Sequence, residues 1–195
     1  MEKFILQPTS MAQWHALIEE ARLSTSIRLT EDLESYLIFL LMRFTKEPCI
    51  NQNILAIDFL ENSHGTKKEN RQILRDVGDK CLLFSGLFPG QASRRRVQVS
   101  YYVKLGQSAY SSLSLVHQNE LSVLFGNLCQ HFVELMDILR TVRDLDSHAH
   151  SNHSDLLEAE QLWNDTQSQH AFKLLRKTTQ GFFIPRTPEN PQQKH

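Results

Sequence analysis

From Glu120 to Leu145 the chain carries one continuous apolar stripe. Leu121, Leu124, Phe125, Leu128, Phe132, Leu135, Met136, Leu139, Val142 and Leu145 recur at i, i+3, i+4 and i+7. That period lines one face of an α-helix and no face of a strand. A long helix over 120–145 is therefore predicted. Its apolar face needs other elements to cover it, and the rest of the chain supplies helices.

Ser10 with Gln13 three residues on reads as a capping box. Trp14, Leu17, Ile18 and Ala21 follow as the apolar face of a helix that Ser24–Ser26 ends. Thr30 reads as the next N-cap, with Glu31 and Asp32 in the first turn, where the helix dipole favours negative charge. Leu29, Leu33, Tyr36, Leu37, Leu40, Leu41 and Phe44 keep the helical period until Glu47-Pro48. A short helix is predicted over 54–60. After Asn62-Ser63-His64-Gly65, Thr66 caps another that carries Ile73, Leu74, Val77, Cys81 and Phe84. Ser85-Gly86-Leu87-Phe88-Pro89-Gly90 forces a turn. Residues 92–115 are predicted helical, although Val97-Gln98-Val99-Ser100-Tyr101 alternates in a strand-like way. A last helix is predicted over 154–177, its polar middle, 164–169, either kinked or half exposed.

The body is short of turn formers. There are 7 Gly and 6 Pro, and three of the prolines (Pro185, Pro188, Pro191) fall in the tail. The expected fold is all-α: a single-domain bundle of about five to seven helices around the long helix at 120–145, with a helical domain over 1–180 and a flexible tail over 181–195. A chain of 195 residues can bury such a core without metals or disulfides. Cys49, Cys81 and Cys129 are widely spaced and contain no CxxC pair, which fits reduced thiols. The apolar run from Tyr36 to Met42 is too short to cross a bilayer, and the N-terminus lacks the pattern of a signal peptide. The cytoplasm is the expected location, with no membrane partner.

Net charge is -1, so no global field draws the chain to polyanions. Local features carry what functional signal there is. Arg94, Arg95 and Arg96 precede a helix bearing Tyr101, Tyr102 and Tyr110. Guanidinium forks bind phosphate, and aromatic faces stack bases. The same triplet serves equally for a protein partner or for intramolecular pairing. Gly106-x-x-Ala109, with Gly78 in the preceding helix, points to close helix packing or to a groove where a ligand meets backbone; the two glycines are expected to face each other. Phe182 and Phe183, in Gly-Phe-Phe-Ile-Pro, either fold back on the core or dock on a partner. His148, His150 and His153 lie among carboxylates, but a flexible connector holds no metal geometry, so they are weak metal candidates and no cofactor is expected.

The chain has no GxSxG, P-loop, HExxH or GxGxxG motif. Cys129 and His131 would point about 200° apart on a helix and form no dyad. Asp76 and Asp79, near Arg75 and Lys80, read as salt-bridge partners rather than paired catalytic carboxylates.

The run Val77-Gly-Asp-Lys-Cys-Leu-Leu-Phe-Ser-Gly-Leu-Phe-Pro-Gly, the later Arg94-Arg-Arg-Val-x-Val-Ser-Tyr-Tyr-x-x-Leu-Gly-x-x-Ala-Tyr-x-x-Leu, and Leu162-Trp-x-x-Thr-x-Ser resemble a family of bacterial conserved hypothetical proteins. The resemblance implies a bacterial cytosolic protein and no particular activity. It draws attention to the turn at 85–96 and the Tyr-rich helix rather than the His-rich connector.

The leading expectation is a non-enzymatic interaction or regulatory module with a protein partner. Two alternatives stand beside it: nucleic-acid or phosphate-ligand binding through Arg94–Arg96 and the tyrosines, and an enzyme whose site is assembled from distant polar residues.

Overall fold

A computed structural model describes residues 9–46, 67–90, 97–116, 119–146 and 153–178. Every regular element among them is a helix: α1 (Ser10–Thr25), α2 (Glu31–Lys46), α3 (Lys67–Gly86), α4 (Val99–Val116), α5 (Glu120–Gln130), α6 (Phe132–Asp146), α7 (His153–Thr166) and α8 (Gln169–Thr178). The all-α bundle expected from the sequence is what the chain forms.

Local chemistry sets the ends. Thr9, one residue before the expected cap, accepts from the Ala12 amide at 3.3 Å and opens α1. Ser26 closes it in the left-handed region, with φ 61°. The ambiguous segment at 97–101 resolves as two non-helical residues followed by α4 from Val99. Gln167 takes φ 58° and separates α7 from α8, so the last helix is broken outright in its polar middle rather than kinked.

The long helix expected over 120–145 is two helices. His131 adopts φ -96° and ψ 17°, outside the helical well, and closes α5 by donating its amide to Asn127 O at 2.9 Å. Its own carbonyl then accepts from the Leu135 amide at 3.0 Å and opens α6. Gly126 and Asn127, both weak helix formers, lie in the turn before the break. The interruption lets the two halves face different neighbours. Phe125 meets Tyr36 of α2 and Tyr110 of α4, Phe132 meets Tyr110 and Gly106 of α4, and Leu139 meets Gly86 of α3.

The core forms around α6. It packs against α1, α3, α4 and α8, and every residue from Leu135 to Arg140 is buried. Helix α3 lies along α4, which in turn pairs with α5. α7 contacts α4 and α8 and buries Ala159 and Leu162, and its Trp163 lies on Phe172 of α8 with ring centroids 4.7 Å apart. Three glycines permit these approaches. An added Cβ would lie 2.5 Å from the Tyr110 ring at Gly78, 2.5 Å from Leu139 at Gly86 and 2.5 Å from the Phe132 ring at Gly106. Gly78 and Gly106 thus each admit an aromatic ring instead of facing one another.

Candidate functional site

Asp79 sits at the centre of the α2–α3–α4 contact with 1% of its surface exposed. A buried carboxylate has to be hydrogen-bonded or paired. Here Oδ1 accepts the phenol of Tyr36 at 2.6 Å and that of Tyr110 at 2.7 Å. Oδ2 accepts from Arg43 Nη2 and lies 3.7 Å from Arg75 Nε. Arg75 Nε also donates to the Tyr36 hydroxyl at 3.3 Å, and its guanidinium stands 5.4 Å from the centre of the Tyr36 ring. Arg43 reaches Asp76 as well, at 3.7 Å. The pairing of Asp79 expected from the sequence is present, but it is buried and joins three helices rather than lying along one.

Burial raises the Asp79 carboxyl above its ordinary 3.8, against the pull of Arg43 and of the two phenols. Burial likewise raises both tyrosines, with the adjacent Asp79 charge adding to it. Two guanidinium groups can only donate, so Oδ2 has to be bare for the geometry to hold. The phenols are then fixed as donors to Oδ1. The carboxylate accepts from three donors, with the Arg75 guanidinium alongside as a second cation.

A second buried centre joins α6 to α8. Asp137 Oδ1 accepts Ser168 Oγ at 2.5 Å, and Oδ2 accepts the His170 amide at 3.2 Å. Ser168 Oγ in turn accepts from the Ala171 amide at 3.1 Å, capping α8. Burial raises the Asp137 carboxyl, opposed by Ser168 and the His170 amide. One turn on, Arg140 donates Nε to Ser85 O at 2.9 Å and lies 3.6 Å from Glu158, tying the end of α3 to α6 and α7. Nearer the surface, His170 Nε2 pairs with Asp144 at 2.8 Å, and Arg143 also donates to Asp144. The sequence reading missed Asp137, Arg140 and Ser168. The signal available was the pair Asp137 and Arg140 inside the most apolar stretch of α6.

The residues singled out from the sequence do not form one surface. Tyr102, Gly106 and Tyr110 face the core, and only Tyr101 among the three tyrosines is exposed. Arg94, Arg95, Arg96, Phe182 and Phe183 lie outside the described residues, as do His148 and His150; His153 begins α7. Among the described residues no group of three or more His, Cys, Asp or Glu is placed to hold a metal ion, and no helix is long and apolar enough to cross a membrane.

One surface feature stands out where α4 meets α5. Leu115 is 83% exposed, Val116 43%, Leu121 47% and Val123 65%. Ser122 Oγ donates to Ser114 O at 2.6 Å and holds the two helix ends together. Leu121 and Val123, two residues apart on α5, point to different sides of that helix. Comparison with protein-family models, with curated proteins and with solved structures gives no match.

Proposed function

We propose that this chain is a non-enzymatic interaction module of the bacterial cytosol, engaging a protein partner through exposed apolar side chains at the end of α4 and the start of α5. The observation that carries the reading is the exposure around the α4–α5 junction: four large apolar side chains left in water within nine residues. Exposed apolar surface of this kind marks contact sites where it is contiguous. The bacterial setting rests on the family resemblance of the sequence. The burial of Asp79 and the engagement of both its oxygens support a structural role for the most conspicuous polar cluster, since a general base has to reach the proton it takes.

The test is affinity capture of the tagged chain from native lysate with and without nuclease, run beside Leu115→Asp. Leu115 is mostly exposed, so the substitution leaves the core intact. A partner retained after nuclease and lost with Leu115→Asp supports the reading; a partner indifferent to Leu115→Asp rules out this surface.

The exposure of Tyr101 at the start of α4 favours a second reading, anion or nucleic-acid binding by Arg94–Arg96 with that ring. Such binding would weaken steeply with salt and vanish when the three arginines become alanine.

A further inference from the structure

We propose that the partner is a second copy of this chain, with α5 packed antiparallel against α5 about Gly126. This inference rests on the interaction-module reading and names the occupant of the α5 face that carries Val123.

The starting point is an unexplained glycine. Gly78, Gly86 and Gly106 each make room for a neighbouring side chain, whereas a Cβ on Gly126 would meet nothing within 4 Å among the described residues. A glycine inside a helix lowers helix stability, and here no contact among the described residues requires it. What a missing Cβ permits on an open helix face is the close approach of another backbone, because the side chains at the crossing set the distance between two helices. Asn119, Val123, Gly126 and Gln130 recur at spacings of four, three and four, so they line one outward face. Val123 is its exposed apolar member.

Charge then selects the occupant. Glu120 is the one charged residue of α5, and it sits at the first position. Two copies of so uncharged a face meet without like charges opposed at the centre. In an antiparallel pair about Gly126, position 126+k comes level with 126-k of the other copy. Glu120 then stands beside His131 of the second copy, on the same flank of the contact. His131 already gives Nδ1 to Glu134 at 2.7 Å, which leaves Nε2 as the nitrogen for the incoming carboxylate. A protonated imidazole donates from both nitrogens and so bridges the two acids. Val123 covers the stretch of the second copy between Gly126 and Gln130. The opposed helix dipoles add to the attraction.

A contact made by one helix of 11 residues and its junction with α4 is small. It belongs with weak, reversible interfaces rather than obligate ones. Sedimentation of the full chain from about 1 to about 200 µM should therefore show a concentration-dependent monomer–dimer equilibrium. Gly126→Leu starts from a Cβ that meets nothing within 4 Å among the described residues; its melting temperature should be unchanged or higher, while its dimer dissociation constant rises about tenfold or more. Glu120→Lys, which places a cation beside His131, should weaken pairing severalfold. A chain that stays monomeric throughout overturns the proposal, and so does a Gly126→Leu variant that pairs like the unaltered chain. A monomeric chain that still loses a captured partner on Leu115→Asp overturns the pairing alone and leaves the interaction reading standing.

Discussion

The Asp79 centre makes a sharp prediction for Tyr110→Phe. The phenol donates to Asp79 Oδ1 at 2.7 Å from a fully buried ring. Phenylalanine keeps the ring, and with it the contacts to Gly78, Phe125 and Phe132, so no large cavity opens. What is lost is one hydrogen bond to a buried charged acceptor, worth about 1.5–3 kcal/mol. Tyr36 still donates to the same oxygen and Arg43 still pairs with the other, which places the expected loss near 2 kcal/mol. For a chain of this size that is a fall of about 4–8 °C in melting temperature, read by circular dichroism and checked by urea titration. The assignment to Asp79 is tested by repeating the substitution in an Asp79→Asn background. With the charge gone, Tyr110→Phe should cost less than half as much, because contacting residues are not additive. Tyr101→Phe, at an exposed position, should be silent. A Tyr110→Phe protein that melts within about 1 °C of the unaltered chain would refute the claim that this hydrogen bond is held by a bare carboxylate.

Two Gly→Ala substitutions should have opposite signs. Gly78→Ala drives a Cβ into the Tyr110 ring and should destabilise by about 1–3 kcal/mol, whereas Gly126→Ala meets nothing within 4 Å among the described residues and should stabilise by up to about 1 kcal/mol, both read from urea midpoints. Ser168→Ala removes the α8 cap and a donor to Asp137 together, and should cost about 2 kcal/mol, with amide exchange rising first in α8. The pH dependence of stability follows from the raised Asp79 carboxyl. The folded state holds that proton more tightly than the unfolded state, so this contribution is fully present below 3.8 and is lost as pH rises through the folded value. Asp79→Asn should flatten that part of the stability profile, and an unchanged profile would assign the slope to another group. Asp144 acts in the opposite sense. Desolvation pushes its carboxyl up, yet His170 and Arg143 hold it below 3.8, so its contribution is present above that value and lost on acidification; Asp144→Asn should remove this acid-side loss.

The helices themselves were legible because apolar periodicity is a local signal. Leu33, Leu37, Leu40 and Leu41 announce α2 within three turns of chain. The break at His131 was not legible, since the stripe runs through it in phase. The two halves pack against different sets of neighbours, α2 and α4 for α5 and chiefly α1 and α3 for α6, and that tertiary difference has no trace in a local apolar period. Asp79 was hidden for a related reason. Asp76 and Asp79 look alike in sequence, each near an arginine, yet Asp76 remains half exposed on the rim while Asp79 is sealed by a tyrosine 43 residues before it and another 31 residues after it. No window along one helix contains that pairing. Gly78 was the nearest available clue, because a glycine beside a buried acid leaves room for the ring that hydrogen-bonds it.

The two buried carboxylates also explain why the outer surface is the better place to look for function. Asp79 fixes α2, α3 and α4 to one another, and Asp137 with Arg140 fixes α6 to α8 and to the end of α3. Helix α5 lies at the edge of both clusters. It is joined to α6 by a single non-helical residue and to α4 through the Ser122–Ser114 bond. A helix held at both ends by rigid neighbours presents its outer face at fixed geometry, so a partner binding there need not order it first. Loosening the Asp79 centre with Tyr110→Phe should therefore weaken any contact made by α5 even though Tyr110 is fully buried and touches no partner. A binding constant that ignores Tyr110→Phe would show that α5 holds its position without that support.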